Sequence, residues 1–175
     1  MACQGALQHG VATGLLNIPQ AAITEELGIS AAGLAWSSAV SCFCLGGLGG
    51  AKAASSIADA RGRKALLGLC GVVCTASGVA QYISGTLATS GCAGAALTAL
   101  LVARVISGLG CGMATVGVPL YLGEVAPVHL RGAFGSLNQL AICAGIVVTQ
   151  VLAVLLLPIA HWRHVVGFAA VLGAV

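Results

Sequence analysis

Six long apolar stretches run through the chain and are separated by short polar segments. Each of the first five approaches the ~20 residues with which an α-helix crosses the hydrocarbon core of a membrane, and the sixth supplies about half of a crossing. The pattern therefore predicts an all-α, polytopic membrane protein with five complete transmembrane helices and part of a sixth. The stretches lie at about 1–19, 34–57, 65–84, 94–121, 133–157 and 165–175.

Most of the charged residues gather in two short segments, residues 59–64 and residues 124–132, which we call the first and the second charged segment. Together these segments hold Asp59, Arg61, Arg63, Lys64, Glu124 and Arg131. Lys and Arg in short loops favour the cytoplasmic side of a membrane. Both segments, and with them the N-terminus, are therefore predicted to be cytoplasmic. The linkers at 19–32 and 84–94 lack Lys and Arg and are predicted to face outward.

The composition excludes a soluble domain. The chain of 175 residues is 59% hydrophobic and 6% charged, with a mean hydropathy of +1.06, whereas soluble proteins carry about 25% charged residues. The net charge of +3 comes without a basic run or a basic helix face, and this argues against nucleic-acid binding. We expect an integral, multi-pass protein of the plasma membrane, with an organellar membrane as the alternative.

No arrangement of reactive side chains predicts catalysis, a cofactor or a metal site. The sequence shows no nucleophile paired with a general base, and the eight cysteines lie in or beside apolar stretches, where they typically act as small hydrophobic residues. The histidines are scattered near the ends of spans without ligand spacing: His9, His129, His161 and His164. The sequence therefore predicts a protein that is not an enzyme.

Glycine supplies 26 of the 175 residues, which is typical of transmembrane helices that approach each other through small side chains. Two pairs have the small-xxx-small spacing, Gly46 with Gly50 and Gly108 with Gly112. We expect both pairs to lie at contacts between helices. Chance spacing in a glycine-rich chain is the alternative.

Few polar side chains lie within the predicted spans, and each is a candidate for function because a polar group at membrane depth is costly. Gln139 and Gln150 are 11 residues apart, about 1100° around a helix, so both project from one face. Thr13, Asn17 and Gln20 form a second polar row. Each set is suited either to a watery cavity that binds the hydroxyl groups of a ligand or to hydrogen bonds between helices.

Charged residues within the spans are fewer still. Arg104 lies toward the outer end of the fourth span, where a long side chain can reach the interface, and we interpret it as a structural anchor. No Asp or Glu falls within any span. Because proton-driven transport commonly needs a carboxylate embedded in the membrane, the sequence disfavours coupling to protons.

Ordered motifs along the chain resemble the sugar porter family of the major facilitator superfamily, and in particular its facilitative glucose transporters. Residues 8–20 are similar to the family's first-helix signature, and the second charged segment and residues 138–140 continue the match. The first charged segment is similar to the superfamily's loop motif between helices two and three, through Asp59, Gly62, Arg63 and Lys64. It departs from that motif at Ala60, where an Arg is usual, and its upstream Gly is replaced by Ser55.

The resemblance implies a twelve-helix transporter of two six-helix halves that works by alternating access. Residues 1–175 would form the N-terminal half, truncated in helices 1 and 6, and would act in the lipid bilayer with the missing C-terminal half or with a second half-protein. The implied activity is facilitated diffusion of a hexose-type sugar, since proton-coupled relatives carry an acid at the position of Ala12. The alternatives are a non-transporting half-protein that acts as a membrane interaction partner, and a proton-coupled or non-sugar transporter.

The resemblance also assigns site residues. The position of Gln139 contacts the sugar in relatives, and the apolar positions of Ile142 and Ile146 line the same pocket. The candidate substrate site comprises Thr13, Asn17, Gln139, Ile142, Ile146 and Gln150. Opposite charges in the two charged segments would pair with each other and with the other half of the transporter to hold an inner gate, unless they serve only to orient the chain. The gate and its structural supports comprise Asp59, Gly62, Arg63, Lys64, Arg104, Glu124 and Arg131.

Overall fold

The computed structural model describes residues 2–30, 32–156 and 162–173. Within these ranges the regular structure is helical throughout, as the apolar pattern predicts. The elements are α1 (Ala2–Gly14), α2 (Gln20–Leu27), α3 (Leu34–Arg61), α4 (Arg63–Thr89), α5 (Ala93–Val125), the 3-10 turn Val128–Leu130, α6 (Arg131–Leu156) and α7 (Trp162–Gly173).

Four helical segments of the described ranges are long and apolar enough to cross a membrane. They are Leu34–Arg61, Arg63–Thr89, Ala93–Val125 and Val128–Leu156. α1 has 13 residues and the described part of α7 has 12. The predicted first span is too long, because α1 ends at Gly14 and a turn follows, in which the N–H of Asn17 bonds the carbonyl of Gly14 over 3.2 Å. Pro19 prevents an unbroken helix through residues 15–19, because it has no N–H for the carbonyl of Leu15 and its ring would clash with that carbonyl.

The first charged segment is helical rather than a loop, so that part of the prediction is wrong. α3 continues to Arg61 and α4 begins at Arg63, with Gly62 alone between them. Gly62 has a φ of 84°, a conformation that a side chain disfavours and glycine adopts freely. The pattern of hydropathy marks where the apolar stretches end, whereas these two helices continue through the charged residues.

A short helix, α2, lies in the linker at residues 19–32. Pro19 precedes it and Gly28 ends it with a φ of 64°, the start and stop signals that proline and glycine provide. Its Ile23 is fully buried, and its Glu26 accepts a hydrogen bond from the indole N–H of Trp162 at the start of α7. α2 is therefore fixed to the bundle. Residues 158–161, in the segment that separates the fifth and the sixth apolar stretch, lie outside the described residues.

α5 is the central helix and packs against α1, α3 and α4. Its contact with α3 is made by glycines on both sides, because a side chain at any of them would overlap a backbone carbonyl of the other helix. Gly46 and Gly50 face Val105 and Leu109, and Gly108 and Gly112 face Phe43 and Gly47. The prediction that both small-xxx-small pairs lie at helix contacts is confirmed.

Two further helix pairs pack through glycine. In the α1–α6 pair, Gly10 lies against the carbonyl of Ile142, and Gly145 lies against the carbonyl of Leu7. In the α4–α7 pair, Gly78 lies against the backbone of Ala170. Close approach of this kind replaces the large apolar side chains that pack soluble helices, and it explains how a chain with 4% aromatic residues still packs densely.

Buried apolar side chains form two clusters along the bundle. One lies near the charged segments, at what we call the charged end, and includes Ala54, Ala58, Leu66, Met113 and Leu122. The other lies at the opposite end and includes Leu15, Ile23, Trp36, Leu100 and Trp162. Large apolar side chains also cover much of the outside, among them Leu45, Leu48, Val72, Val147 and Val154. An outer surface of this kind is typical of a protein in contact with lipid.

Candidate functional site

The surface of α6 consists of a buried stripe with a polar flank on one side and an apolar flank on the other. The buried stripe consists of Gly145, Thr149 and Ala153. At about 100° per residue, one flank carries Gln139, Cys143 and Gln150. The other flank carries the exposed Leu140, Val148, Val151 and Leu155. The two glutamines therefore share one face, as the sequence predicts, and this face differs in polarity from the rest of the helix surface.

The polar row of α1 is shorter than predicted. Thr13 is exposed and its hydroxyl donates to the carbonyl of His9 over 2.9 Å. Asn17 is also exposed but lies in the turn after α1, and Gln20 is the first residue of α2. The three residues therefore do not follow one helical face. Thr13 and Asn17 remain on the surface, where each is accessible to a ligand.

Thr13 of α1 and the polar flank of α6 lie on the same side of the contact between these two helices. α1 and α6 are parallel, since Gly10 lies against Ile142 and Gly14 lies against Ile146. Projection of both helices at about 100° per residue places Thr13 and Gln139 on the same side of this contact. We call this surface the open face. Ile142 and Ile146 are half-buried beside it, with their backbone at the contact itself.

Sequence reasoning missed two residues of the open face, His9 and Thr115. Nδ1 of His9 lies 3.1 Å from Oγ1 of Thr115, and this hydrogen bond joins α1 to α5. His9 is half-buried and Thr115 is exposed. The available signal was the spacing of His9 four residues before Thr13, one helical turn away on the same side of α1.

Arg104 is a buried residue of the bundle interior and does not extend toward the interface. Its relative exposure is 3%, and Nη1 donates to the carbonyl of Ala12 over 3.0 Å. The guanidinium carbon lies 4.6 Å from the centre of the Phe43 ring, within the range of a cation–π contact. Arg104 therefore connects α5 to α1 and α3, and it is far along α5 from the charged end.

The charged end contains one ion-pair network, centred on Arg63. Its Nε donates to Glu124 over 3.0 Å, and its Nη1 donates to Asp59 over 3.3 Å and to the carbonyl of Ala58 over 2.9 Å. The expected pairing between the two charged segments is thus present for Arg63 and Glu124. Lys64 and Arg131 are exposed, and neither forms an ion pair with another described residue.

The family described as "Sugar (and other) transporter" matches residues 1–175. The chain belongs to the sugar transporter family. Facilitated glucose transporter member 3 of Gallus gallus is 33% identical over 185 residues, which cover 98% of this chain and 36% of that protein. Member 4 of Mus musculus is 34% identical over 164 residues, which cover 85% of this chain and 31% of that protein.

Solved structures show the same fold. The proton:xylose symporter XylE bound to 6-bromo-6-deoxy-D-glucose superposes with a TM-score of 0.88 at 21% identity, over 99% of this chain and 41% of that one. The inward open conformation of XylE from E. coli gives a TM-score of 0.84 at 21% identity, over 99% of this chain and 44% of that one. The predicted major facilitator fold is confirmed, and the chain spans about a third of the length of the curated relatives it matches.

Membership of the sugar transporter family has two direct consequences. The chain is an integral, multi-pass membrane protein, as its apolar helices predict. Its relatives are named as transporters and not as enzymes, in agreement with the prediction from sequence.

Proposed function

We propose that this chain forms the N-terminal six-helix half of a transporter that moves a hexose-type sugar by facilitated diffusion and alternating access. Separate observations support the sugar substrate and the absence of proton coupling. The names of the curated relatives, which are facilitated glucose transporters, favour the substrate. The surroundings of Arg104 favour uncoupled transport.

The shared polarity of α1 and α6 on the open face carries the substrate proposal. Gln139 and Gln150 lie on one flank of α6, and Thr13 lies on the same side of the α1–α6 contact. Amide and hydroxyl groups both donate and accept hydrogen bonds, as the hydroxyls of a sugar do. Small-molecule sites combine a few polar groups of this kind with apolar walls, which Ile142 and Ile146 would supply. Asn17 would contribute from the turn after α1.

The environment of Arg104 supports facilitated diffusion. Its guanidinium contacts a backbone carbonyl, that of Ala12, and the ring of Phe43. Neither group titrates, so this interaction cannot change with the binding or release of a proton. The acidic residues of the sequence are Glu25, Glu26, Asp59 and Glu124, and they lie in α2 or in the last turns of α3 and α5. This half therefore offers no carboxylate at the depth where proton relays act.

The Arg63 network would form this chain's part of an inner gate. Arg63, Asp59 and Glu124 are partly exposed, so the network can rearrange when a second half approaches. The exposed Lys64 and Arg131 are the charges through which we expect the C-terminal half to pair. Both charged segments lie at one end of the bundle, and the preference of Lys and Arg for the cytoplasm supports a cytoplasmic position for this end and for the N-terminus. The plasma membrane is the proposed location.

Uptake of labelled glucose by the intact gene product tests the proposal. The protein is expressed in cells that lack their own hexose transporters, and its amount at the membrane is measured in parallel. Saturable uptake that glucose competes for is the expected result. Normal insertion of the intact protein without uptake would overturn transport and leave the role of a membrane interaction partner.

A further inference from the structure

His9 occupies an unusual position for an ionisable side chain, at membrane depth and on the open face. It lies on α1 one turn before Thr13, and its ring is half-buried against Thr115 of α5. Polar side chains at this depth are costly and serve functional roles by default. Neither the charged network nor the contacts of Arg104 involve this ring. The hydrogen bond between His9 and Thr115 therefore indicates a role separate from the ion-pair network and from Arg104.

The hydrogen bonds of Thr115 determine which nitrogen of His9 carries the proton. Oγ1 of Thr115 lies 2.9 Å from the carbonyl oxygen of Cys111 and 3.1 Å from Nδ1 of His9. A hydroxyl has one proton to donate, and a carbonyl oxygen can only accept. Both contacts are satisfied together only when Thr115 donates to Cys111 and Nδ1–H of His9 donates to Thr115. In neutral His9 the other nitrogen, Nε2, is then an acceptor without a proton.

We propose that His9 is a specificity-determining residue that accepts a hydrogen bond from one hydroxyl of the sugar through Nε2, with Thr115 fixing its tautomer. This inference rests on the proposed function, because it identifies a further contact within the same site. Gln139 both donates and accepts through its amide, so it binds a hydroxyl in either orientation. His9 accepts only, and it therefore requires a substrate group that donates.

Deoxy and deoxyfluoro analogues of the sugar test this contact, because fluorine replaces the hydroxyl in size but cannot donate. Inhibition constants against labelled glucose uptake are measured for the series in the intact protein and in its His9→Phe variant, which keeps a ring of similar size. At one carbon of the sugar, the wild type should bind the deoxy and deoxyfluoro analogues about two- to tenfold more weakly than glucose, the range of one neutral hydrogen bond. In His9→Phe that difference should disappear.

Two variants separate this role from a structural one. Thr115→Val removes the partner that fixes the tautomer, so Nε2 acquires a proton in part of the population, and the penalty for the deoxyfluoro analogue should shrink. His164→Phe is the matched control, since His164 is exposed on α7 beside Tyr82, and it should leave the whole series unchanged.

The possible results distinguish the two proposals. A wild-type protein that inserts but neither binds nor moves any sugar would overturn the proposed function, and the role of His9 with it. A wild-type protein that transports glucose while His9→Phe keeps the full pattern of analogue penalties would overturn the role of His9 alone. Retained binding of the deoxyfluoro analogue, with loss of the deoxy analogue, would show that His9 donates and would equally overturn the proposal.

Discussion

Nη1 of Arg104 donates a hydrogen bond to the backbone carbonyl of Ala12 over 3.0 Å, between helices α5 and α1. The same guanidinium lies over the ring of Phe43 in α3. One side chain thus joins three helices of the bundle. The sequence position of Ala12 is also where a proton-coupled relative is expected to carry an acid. The contact between Arg104 and Ala12 therefore bears both on the stability of the bundle and on whether transport is coupled to protons.

Replacement of Arg104 by Leu should destabilise the bundle. The carbonyl of Ala12 would lose its side-chain donor and the cation–π contact would be lost, together a cost of about 1–3 kcal/mol in the free energy of unfolding. Thermal unfolding in detergent measures the change. Arg131→Leu is the control at an exposed position and should leave the unfolding temperature nearly unchanged; equal effects of the two variants would contradict the anchoring role.

The glycines between α3 and α5 should not tolerate even a methyl group. Gly108→Ala places a Cβ on the carbonyl of Phe43, so the helices must separate, at a cost of about 1–3 kcal/mol. Gly123→Ala is the matched control in the same helix, because nothing lies within 4 Å of its Cβ and alanine favours helix formation. The control should be neutral or stabilising. Similar thermal unfolding of both variants would show that the helices are not in close contact.

Gln81 should be replaceable with a gain in stability. Its side chain is fully buried in α4, and neither atom of its amide has a hydrogen-bond partner among the described residues. Gln81→Leu removes an unpaired polar group whose burial costs about 1–3 kcal/mol, and the unfolding temperature should rise. Ser84→Ala is the contrasting variant one turn away, since Ser84 donates to the carbonyl of Ala96 over 2.7 Å, and it should lower that temperature. A fall for Gln81→Leu would indicate that the amide has a partner.

Gln139→Ala should weaken sugar uptake and leave membrane insertion intact. Loss of an amide that both donates and accepts should raise the apparent KM by about tenfold. Leu140→Ala is the control on the apolar flank of α6 and should leave the KM unchanged. An unchanged KM in Gln139→Ala would remove this residue from the substrate site.

Glu124→Gln should shift the balance between inward- and outward-facing states more than it changes stability. The partners of this ion pair are 31% and 48% exposed, and such a pair contributes at most about 1 kcal/mol. A shift of that size is nevertheless enough to change a near-balanced equilibrium severalfold. Accessibility of a cysteine placed on the open face reports the shift, and Glu25→Gln, in the exposed part of α2, is the control. Identical labelling of both variants would argue against a gate.

The apolar pattern was sufficient to predict the helical membrane fold and the helix contacts made by Gly46, Gly50, Gly108 and Gly112. It was insufficient for the helix ends, because hydropathy follows the thickness of the bilayer and not the hydrogen bonding of the backbone. α2 and the single-residue turn at Gly62 were missed for this reason. The proline and glycine that bracket α2 were visible in the sequence, but each also fits a simple turn.

The candidate site likewise contains features that the sequence could predict and features that it could not. The shared face of Gln139 and Gln150 follows from helical periodicity within one segment and could be predicted. The bond between His9 and Thr115 joins residues 106 positions apart, and the buried contact of Arg104 with Ala12 joins residues 92 positions apart. Such pairs depend on how α1 crosses α5, which periodicity within either helix does not determine.

Glucose uptake into proteoliposomes containing the intact protein, with and without an imposed proton gradient, tests the central claim most directly. Facilitated diffusion through this fold predicts saturable uptake that stops when internal and external glucose are equal. It also predicts that a proton gradient of either direction leaves the final internal concentration unchanged. Accumulation of glucose above the external concentration, driven by an inward proton gradient, would contradict the account.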